Sequence, residues 1–524
     1  MDRKAKIMAT LGPASNDLDS IKALIEAGVN IVRFNLSHGT HDSHRKTYEL
    51  VRQASTELKR LVPVVFDLMG PRYRIGTSLE QVSLQRDQEV LLSEGEDADL
   101  PIDSPGLMRH LRSGERVLID NGMVELQVDG PYRDGVLARV IHGGVVTARK
   151  GINLPDSVLP FHISVKDRED IAFAIELGVD FIGASYVGQA DHLERLRGVM
   201  EASGGELPLI AKLERAAAVE NPEQLASIVD AADAVMVARG DLGVEVPLDQ
   251  VPVLQKRIVE VGRRSGTPVI VATQMLESMT EQPRPTRAEV SDVANAVFDG
   301  ADALMLSGET AVGKHPIEAV RTMDRTIRQA ESYRGERARQ RQEVFGLSGA
   351  KPGIDEESQT GPIDIPDAVS SAAAHVASLL QIHRIVAVTQ GGFTARLLAR
   401  YRPAVPVLVF TPDLAVARRV QLLWGIQPFI LNHHVEHHDE VVELVDSELI
   451  QRGLAAPGEV VILLMGDPIR DRPRTNLMRV HRVRQRVDVR SRSGKRSGRS
   501  KGRAKKSQPK ASPGTEGSKN NDAD

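Results

Sequence analysis

Short apolar runs of strand length recur along the chain and alternate with longer segments of helical periodicity. Eight such runs occur in the first 310 residues, at 7–11, 31–34, 62–66, 181–184, 207–211, 234–238, 269–272 and 303–306. Continuous apolar runs that alternate with helices are typical of parallel strands buried on both faces. Eight βα units predict a (β/α)8 barrel, in which functional residues follow the carboxyl ends of the strands.

One interval interrupts this alternation. Between the third and fourth runs, residues 70–155 carry short alternating apolar and polar stretches, separated by turn residues such as Asn121-Gly122. This pattern predicts an inserted all-β domain. Because the insertion leaves the barrel directly after a strand, we expect it to cover the barrel mouth as a lid.

The remaining sequence divides into further segments. Residues 1–69 and 156–342 form the two parts of the predicted barrel, and 343–365, rich in Gly, Pro, Asp and Glu, form a linker. Apolar runs at 385–389, 407–410, 460–464 and 478–483 predict a second, regulatory α/β domain over 366–485. The predicted fold class is thus α/β: a TIM barrel with an inserted all-β lid domain and a C-terminal α/β domain.

Composition is that of a multidomain globular protein. Of the 524 residues, 41% are hydrophobic and 26% charged, which allows sizeable cores. The chain has no cysteine, which excludes disulfides, thiolate catalysis and cysteine-based zinc sites. No run of eighteen apolar residues and no apolar signal region is present, so we expect no membrane span and a cytoplasmic location.

Charge is distributed unevenly. The net charge is −4, yet residues 482–524 carry 14 Lys and Arg against 4 Asp and Glu, so the body is acidic. Residues 486–524 lack apolar periodicity and are predicted to form a disordered basic tail. Without aromatic residues, this tail favours loose, salt-sensitive contact with nucleic acid or another polyanion. The alternative is a solubilising tail that folds back on the acidic body.

Candidate chemistry follows the apolar runs. Lys212 and Glu214 end the fifth run, and residues two apart share one face of a strand. Arg239-Gly240-Asp241 ends the sixth run. Two carboxylates beside a lysine suit Mg²⁺, which proteins bind through one or two carboxylates together with substrate oxygens. The alternative is a surface ion pair and a solvated turn.

Other strand ends carry cations and oxygen donors as well. These residues are Arg33, Asn35, Ser37 and His38 after the second run, Asp67, Leu68 and Arg74 after the third, Ser185 after the fourth, and Thr273 after the seventh. Their convergence predicts a mouth that holds a phosphorylated anionic substrate and a metal ion. Polar residues that merely cap the barrel edge would account for only one or two of them.

Several segments resemble the pyruvate kinase family, in the family's order. They are ATLGPAS, VRFNLSHG, KGINLP, AKLER, VMVARGDLGVEVP, VATQMLESM and TNLMRVHRV, and the likeness runs over residues 4–483. The chain resembles bacterial-type members without an extra C-terminal phosphoenolpyruvate-utilising domain. The resemblance implies phosphoryl transfer from phosphoenolpyruvate to ADP, giving pyruvate and ATP, with Mg²⁺ or Mn²⁺ as cofactor and a homotetrameric assembly.

The resemblance also implies residue roles. The catalytic residues would be Lys212, which stabilises the moving phosphoryl group and the enolate, Arg33, which grips the phosphate, and Thr273. The substrate contacts would be Arg33, Gly240, Asp241, Thr273 and Ser185, and the Mg²⁺ ligands Glu214 and Asp241. The nucleotide contacts would be Asn35, His38, Arg74 and Lys150. A monovalent-cation site would comprise Asn35, Ser37, Asp67 and the carbonyl of Leu68.

The chain departs from the family near the third strand. The family usually has Asp-Thr-Lys-Gly-Pro-Glu-Ile-Arg, whereas residues 67–74 place Met69 and Arg72 at its lysine and glutamate positions. Family members with a basic residue at this glutamate position typically lose the K⁺ requirement. We therefore expect Arg72 to replace the monovalent cation, so that K⁺ is not required. The alternative is that Arg72 points to solvent.

A second loop, in the C-terminal domain, also departs from the family's sequence pattern. Thr389, Gly391, Gly392 and Thr394 follow a predicted strand and open a helix, where small residues and hydroxyls can cradle phosphate. In the family this loop binds effectors, which suggests a sugar phosphate or a nucleotide here. A Gly-Gly pair replaces the more usual Ser-Gly, and a plain tight turn is the alternative.

Three functions remain in competition. The first is an active pyruvate kinase. The second is a different barrel enzyme that acts on phosphoenolpyruvate or a 2-oxo acid, which the retained Arg74, Lys150 and lid disfavour. The third is a catalytically weakened homologue with a regulatory or polyanion-binding role through its basic tail, a hypothesis that Met69 suggests.

Overall fold

The computed structural model describes residues 3–95, 97–104, 106–157, 159–345, 364–431, 438–466 and 475–485. Most of the predicted linker and the whole basic tail, residues 346–363 and 486–524, lie outside the described residues. The predictions for these two segments therefore stay predictions.

Eight parallel strands close into a barrel in the spatial order β1-β17-β16-β15-β14-β13-β3-β2. The strands are β1 (Lys6–Thr10), β2 (Ile31–Asn35), β3 (Val64–Asp67), β13 (Phe181–Ala184), β14 (Leu209–Leu213), β15 (Ala234–Ala238), β16 (Val269–Ala272) and β17 (Ala303–Leu306). The predicted barrel is confirmed. The third and fifth strands begin two residues later than predicted because Pro63 and Pro208 have no N–H to donate to a ladder.

Helices surround these strands. They are α1 (Leu18–Ala27), α2 (His41–Glu57), α3 (Val165–Leu177), α4 (Ala190–Ala202), α5 (Ala216–Val219), α6 (Pro222–Ala231), α7 (Arg239–Glu245), α8 (Val251–Ser265), α9 (Arg287–Asp299), α10 (Gly308–Ala311) and α11 (Pro316–Phe345). The predicted capping box of Thr286 and Glu289 is present at the start of α9. No helix among the described residues is both long and apolar enough to cross a bilayer.

The insertion is all-β, as predicted. Its strands are β4 (Tyr73–Arg74), β5 (Gln81–Leu84), β6 (Glu89–Ser93), β7 (Leu100–Pro101), β8 (Arg116–Ile119), β9 (Val124–Tyr132), β10 (Gly135–His142), β11 (Gly144–Thr147) and β12 (Gly151–Asn153). Seven of them form one sheet, and β11 pairs with β5. The strands β4, β7 and β12, of two or three residues, are too short to show an alternating pattern in the sequence.

The C-terminal domain is a five-stranded sheet in the order β20-β19-β18-β21-β22. Its strands are β18 (Ile385–Val388), β19 (Val407–Thr411), β20 (Ile426–Ile430), β21 (Val460–Met465) and β22 (Leu477–Arg482), and its helices are α12 (Ile365–Leu379), α13 (Phe393–Arg400), α14 (Leu414–Val420) and α15 (His438–Gln451). The α/β domain is confirmed. The edge strand β20 was not predicted because Gln427 and Pro428 interrupt its apolar run.

This domain docks on the barrel floor, at the end opposite the mouth. Leu422 packs into the cluster of side chains inside the barrel. Asp302 accepts hydrogen bonds from Arg402 (2.7 Å) and from the backbone N–H of Trp424 (3.1 Å). The Nζ of Lys6, in β1, donates to the carbonyl of Ile426 at 2.7 Å. A hydrogen bond therefore connects the first barrel strand directly to the edge strand of the C-terminal sheet.

Lys6 makes this junction sensitive to pH. Burial and the nearby Arg3 lower the pKa of Lys6 to about 7, although Glu331 and Asp302 oppose the shift. Between that pKa and the ordinary value of 10.5, the unfolded chain binds a proton that the folded protein does not. The penalty that Lys6 imposes on folding is therefore fully present below pH 7 and disappears as pH rises towards 10.5.

Lys6→Met is accordingly expected to raise the unfolding temperature at about pH 6, where the variant avoids burying a charge. The advantage should vanish by about pH 10, because the variant also loses the hydrogen bond to Ile426. Thermal unfolding of both proteins at the two pH values measures the difference. An advantage of equal size at both values would contradict this account of Lys6.

Candidate active site

Lys212 lies at the centre of the barrel mouth. Its Nζ donates to Ser185 Oγ at 2.7 Å and lies 3.4 Å from Asp67 Oδ1 and 3.3 Å from Glu214 Oε2. Lys212 and Glu214 are 5% and 1% exposed, which excludes the alternative of a surface ion pair. Burial lowers the pKa of Lys212, but Asp67 and Glu214 outweigh this effect and raise it. The raised pKa favours the charged form of Lys212, which the predicted role in binding an anionic substrate requires.

Glu214 has an oxygen suited to a metal ion. Its Oε1 accepts the backbone N–H of Tyr186 at 2.6 Å, whereas Oε2 is buried without a hydrogen-bond partner among the described residues. Burial, with Asp241 and Asp67 nearby, raises the pKa of Glu214 to about 7 although Lys212 opposes the shift. A divalent cation would stabilise the charged form of this carboxylate.

Glu214 and Asp241 interact electrostatically across the mouth. No group of three or more His, Asp or Glu side chains in the described ranges is placed to hold a metal ion. Two carboxylates leave most ligand positions to water and substrate, the arrangement that suits Mg²⁺. The residues present thus fit the predicted cofactor.

Arg33 is oriented by Asp67. Its Nε donates to Asp67 Oδ2 at 2.8 Å, its Nη2 contacts the same oxygen, and its Nη1 donates to Thr10 Oγ1 at 3.1 Å. Burial would raise the pKa of Asp67, but Lys212 and Arg33 lower it overall. Two cations are therefore held beside one buried carboxylate, and both are groups that pair with the oxygens of a phosphorylated substrate.

Three of the four residues predicted to bind a monovalent cation have oxygens in contact with protein groups. Asn35 Oδ1 accepts the backbone N–H of Ser37 at 3.2 Å, and the carbonyl of Leu68 accepts the hydroxyl of Ser185 at 2.8 Å. The carboxylate of Asp67 contacts both Arg33 and Lys212. The structure brings these residues to the same edge of β2 and β3, and it engages Asn35 Oδ1, the Asp67 carboxylate and the Leu68 carbonyl in protein contacts.

Gly240 and Thr273 meet at the ends of adjacent strands. The N–H of Gly240, in the first turn of α7, donates to Thr273 Oγ1 at 2.8 Å. Thr273, Gln274 and Tyr186 have φ values of 65°, 53° and 58°, in the left-handed region that non-glycine residues rarely adopt. Such strain clusters at functional sites, where the surrounding structure maintains it.

Arg239 has a structural role in this arrangement. Its guanidinium donates to Asp292 Oδ2 at 2.7 Å and to the carbonyl of Thr273 at 2.6 Å. Arg239 therefore holds the strained backbone at Thr273 in place, whereas Asp241, two residues later, lines the cavity at the barrel mouth.

The lid contributes cations to a cavity of about 280 Å³ between lid and barrel. Arg74 and Lys150, the lid residues predicted to contact a nucleotide, line this cavity. Arg74 Nη1 donates to the carbonyl of Arg149 at 2.9 Å, and Lys150 Nζ lies 2.7 Å from Asp120 Oδ2. The other two predicted nucleotide contacts, Asn35 and His38, are absent from the cavity lining, and His38 is an exposed residue of the loop after β2.

Arg72 lines the same cavity as Asp241 and Tyr186. Partial burial lowers the pKa of Arg72, but Tyr186 and the carboxylates of Asp241, Glu214 and Asp67 raise it overall. The lid turns at Gly70, whose φ is 67° and where a Cβ would lie 2.8 Å from that of Ser185. The tight turn at this glycine brings the 67–74 segment close to the loop after β13.

The predicted effector loop opens α13, as expected. Gly392 has φ 84° and its N–H donates to Thr389 Oγ1 at 3.0 Å. Thr394 Oγ1 bonds to Thr475 Oγ1 at 2.7 Å, and Gly391 has open space around it. Both threonine hydroxyls are thus engaged within the domain, and the effector stays a prediction.

Residues that were not predicted also lie near the site, among them Tyr186, Arg215, Glu245 and Asn153. Arg215 and Glu245 line the cavity with Tyr186, and Asn153 Nδ2 donates to Glu245 Oε1 at 3.2 Å. One sequence signal was available, because Glu245 follows Asp241 by four residues and therefore shares its helix face.

Comparisons with known proteins cover the barrel, the lid and the C-terminal domain. The family model for the pyruvate kinase barrel domain matches residues 2–320, and that for the pyruvate kinase alpha/beta domain matches 367–481. A pyruvate kinase of Mycobacterium tuberculosis is 41% identical over 489 residues, 92% of this chain and 99% of that protein. One of Geobacillus stearothermophilus is 38% identical over 491 residues, 92% of this chain and 80% of that protein.

A solved structure agrees with this likeness. The crystal structure of a pyruvate kinase from Cryptosporidium parvum superposes with a TM-score of 0.81 at 32% identity, over 92% of this chain and 96% of that one.

Proposed function

Since the chain belongs to the pyruvate kinase family and is a phosphotransferase, we propose that it transfers the phosphoryl group of phosphoenolpyruvate to ADP in a Mg²⁺-dependent, K⁺-independent reaction. The observation that carries the proposal is the buried Lys212, held between Ser185, Asp67 and Glu214 at the barrel mouth. A coupled assay for pyruvate, with and without K⁺, tests it. Absence of turnover would instead favour the weakened homologue.

The chain's own residues supply positioning and charge. Lys212 and Arg33 face the mouth and would neutralise the phosphoryl group in transit, since phosphoryl transfer needs orientation and charge stabilisation more than covalent help. The N–H of Gly240 and the hydroxyl of Thr273 bond to each other and could instead bond to a carboxylate. The lid cations Arg74 and Lys150 would bind the nucleotide phosphates, and the lid would exclude water.

Glu214 and Asp241 would hold the metal ion. When bound, Mg²⁺ supplies positive charge that neutralises phosphate and enolate oxygens. The homotetramer, the phosphorylated effector at loop 389–394 and polyanion contact through the tail remain predictions that rest on the family resemblance and on composition.

Asp241→Asn is expected to raise the Mg²⁺ concentration for half-maximal rate by about tenfold or more, because one of two anionic ligands becomes neutral. Titration of the rate with Mg²⁺ measures this shift. Asp249→Asn is the matched control, since Asp249 is exposed and outside the cavity lining, and it should leave the midpoint unchanged. An unshifted midpoint in Asp241→Asn would contradict the assignment.

A further inference from the structure

Glu245 is a buried carboxylate at the boundary between barrel and lid. Its side chain is 3% exposed, and its Oε1 accepts the Asn153 Nδ2–H of the lid at 3.2 Å. Its Oε2 has no hydrogen-bond partner among the described residues and lies 3.8 Å from Arg215 Nε. Burying a carboxylate costs folding free energy unless it is paired. We therefore ask what the contacts of Glu245 with Asn153 and Arg215 do for the site.

The two segments that carry the proposed metal ligands, α7 with Asp241 and the segment after β14 with Glu214, each contact the lid or the residues that connect it to the barrel. Asp241 and Glu245 lie one turn apart on α7, on the same helix face. Arg215 directly follows Glu214, and its Nη2 donates to the carbonyl of Ser157, beside the second lid connection, at 3.5 Å. A rigid displacement of α7 or of the segment after β14 would therefore be transmitted to residues 153–157.

On the lid side, Asn153 belongs to the strand next to the nucleotide-binding cations. It ends β12, which begins directly after Lys150 and pairs Gly151 with Arg74 of β4. Asn153 itself pairs with Leu118 of β8, inside the lid sheet. Asn153, which is hydrogen bonded to Glu245, is therefore three residues from Lys150 along the chain, and the same strand pairs with Arg74.

We propose that Glu245, Asn153 and Arg215 form a latch that fixes the lid's cations relative to the metal-binding helix, and so sets nucleotide affinity. The three are positioning residues, which act through Lys150, Arg74 and Asp241. The proposal rests on the proposed function for its kinetic consequences, whereas the latch itself is a structural contact that can be measured without turnover.

The kinetic test is a double-mutant cycle with Asn153→Leu and Glu245→Ala. Each single variant should raise the KM for ADP about tenfold, because a hydrogen bond to a buried charge is lost, while kcat changes less than threefold. The double variant should be no worse than either single one, because both remove the same contact. Glu245→Gln, which keeps an acceptor for Asn153, should recover most of the affinity.

Matched controls are available on both sides. Gln127→Leu removes an exposed amide from lid strand β9, and Asp249→Asn removes an exposed carboxylate four residues after Glu245. Both should leave the KM for ADP within about twofold of the wild type. Multiplicative effects of Asn153→Leu and Glu245→Ala in the double variant would overturn the latch, since independent structural damage combines in that way.

A second readout needs no activity. The absence of cysteine allows spin labels at Asp134→Cys, in the exposed β9–β10 turn of the lid, and at Glu201→Cys, exposed near the end of α4. The distance distribution between them, with Mg²⁺ and ADP, should broaden in Asn153→Leu and not in Gln127→Leu. An unchanged distribution would overturn the latch. A wild type without turnover would refute the proposed function, and the spin-label comparison would still decide the latch.

Discussion

Lys212→Met is expected to lower kcat by about 10²–10³-fold, the usual effect of removing one group that stabilises charge in the transition state. Lys212 is the buried cation that contacts Ser185, Asp67 and Glu214 together. Methionine fills a similar volume without a charge, so the loss reports the ammonium group rather than a cavity. Steady-state turnover at saturating phosphoenolpyruvate, ADP and Mg²⁺ measures the effect.

Stability must be measured beside the rate, because the substitution leaves buried carboxylates with fewer partners. Arg33 still pairs with Asp67, and bound Mg²⁺ would offset the charge of Glu214, so the variant should remain folded when the metal is present. Lys314→Met is the matched control: Lys314 is an exposed lysine whose partner, Glu281, is also exposed. It should keep kcat within about twofold. A folded Lys212→Met with wild-type turnover would refute the role assigned to Lys212.

The barrel was predictable because its strands are apolar on both faces, so each one stands out as a continuous run. The ranges 181–184, 234–238, 269–272 and 303–306 agree with the structure at both ends. Of the four barrel strands whose ends differ, two begin late because of Pro63 and Pro208; in the C-terminal domain, Pro428 conceals β20. The lid strands of two or three residues exist only through pairing with distant partners, which no local pattern reveals.

The site was predictable where chemistry follows a strand end. Lys212, Glu214, Asp67 and Ser185 come together because parallel strands present their carboxyl ends at one edge. Contacts that depend on lid placement could not be predicted in this way. The bond from Asn153 to Glu245 joins residues 92 positions apart in the chain, and its geometry follows from how two domains pack.

Potassium is expected to change the rate less than about twofold when added to an assay without Na⁺ or K⁺. Arg72 lines the cavity beside Asp241, and Asp67 and Glu214 contribute to raising the pKa of its guanidinium. That group stays protonated at any working pH. A guanidinium about 4–6 Å from a bound monovalent cation would repel it by about 3–4 kcal/mol at an effective dielectric constant near 20. The repulsion lowers K⁺ affinity by about two orders of magnitude or more.

Arg72→Glu should reverse this preference and create K⁺ dependence, since it changes from +1 to −1 a charge that interacts with Asp67, one of the four residues of the predicted monovalent-cation site (Asn35, Ser37, Asp67 and Leu68). In the wild type the oxygens of Asn35, Asp67 and Leu68 contact protein groups, and the added carboxylate would favour a cation that competes with those contacts. Rates of both proteins are compared in tetramethylammonium buffer over a K⁺ titration. Arg86→Glu makes the same charge change at an exposed lid position outside the cavity lining, and should not create the dependence.

Two outcomes separate the role of Arg72 from that of Met69. If Arg72 replaces the cation, the wild type is active without K⁺ and Arg72→Glu gains activity when K⁺ is added. If the loss of the family's lysine at position 69 dominates, the wild type is slow under all conditions and Met69→Lys raises its rate with or without K⁺. A wild type that is nearly inactive until K⁺ is supplied contradicts the proposal for Arg72. In that case K⁺ would bind and activate the protein although the Arg72 guanidinium is present.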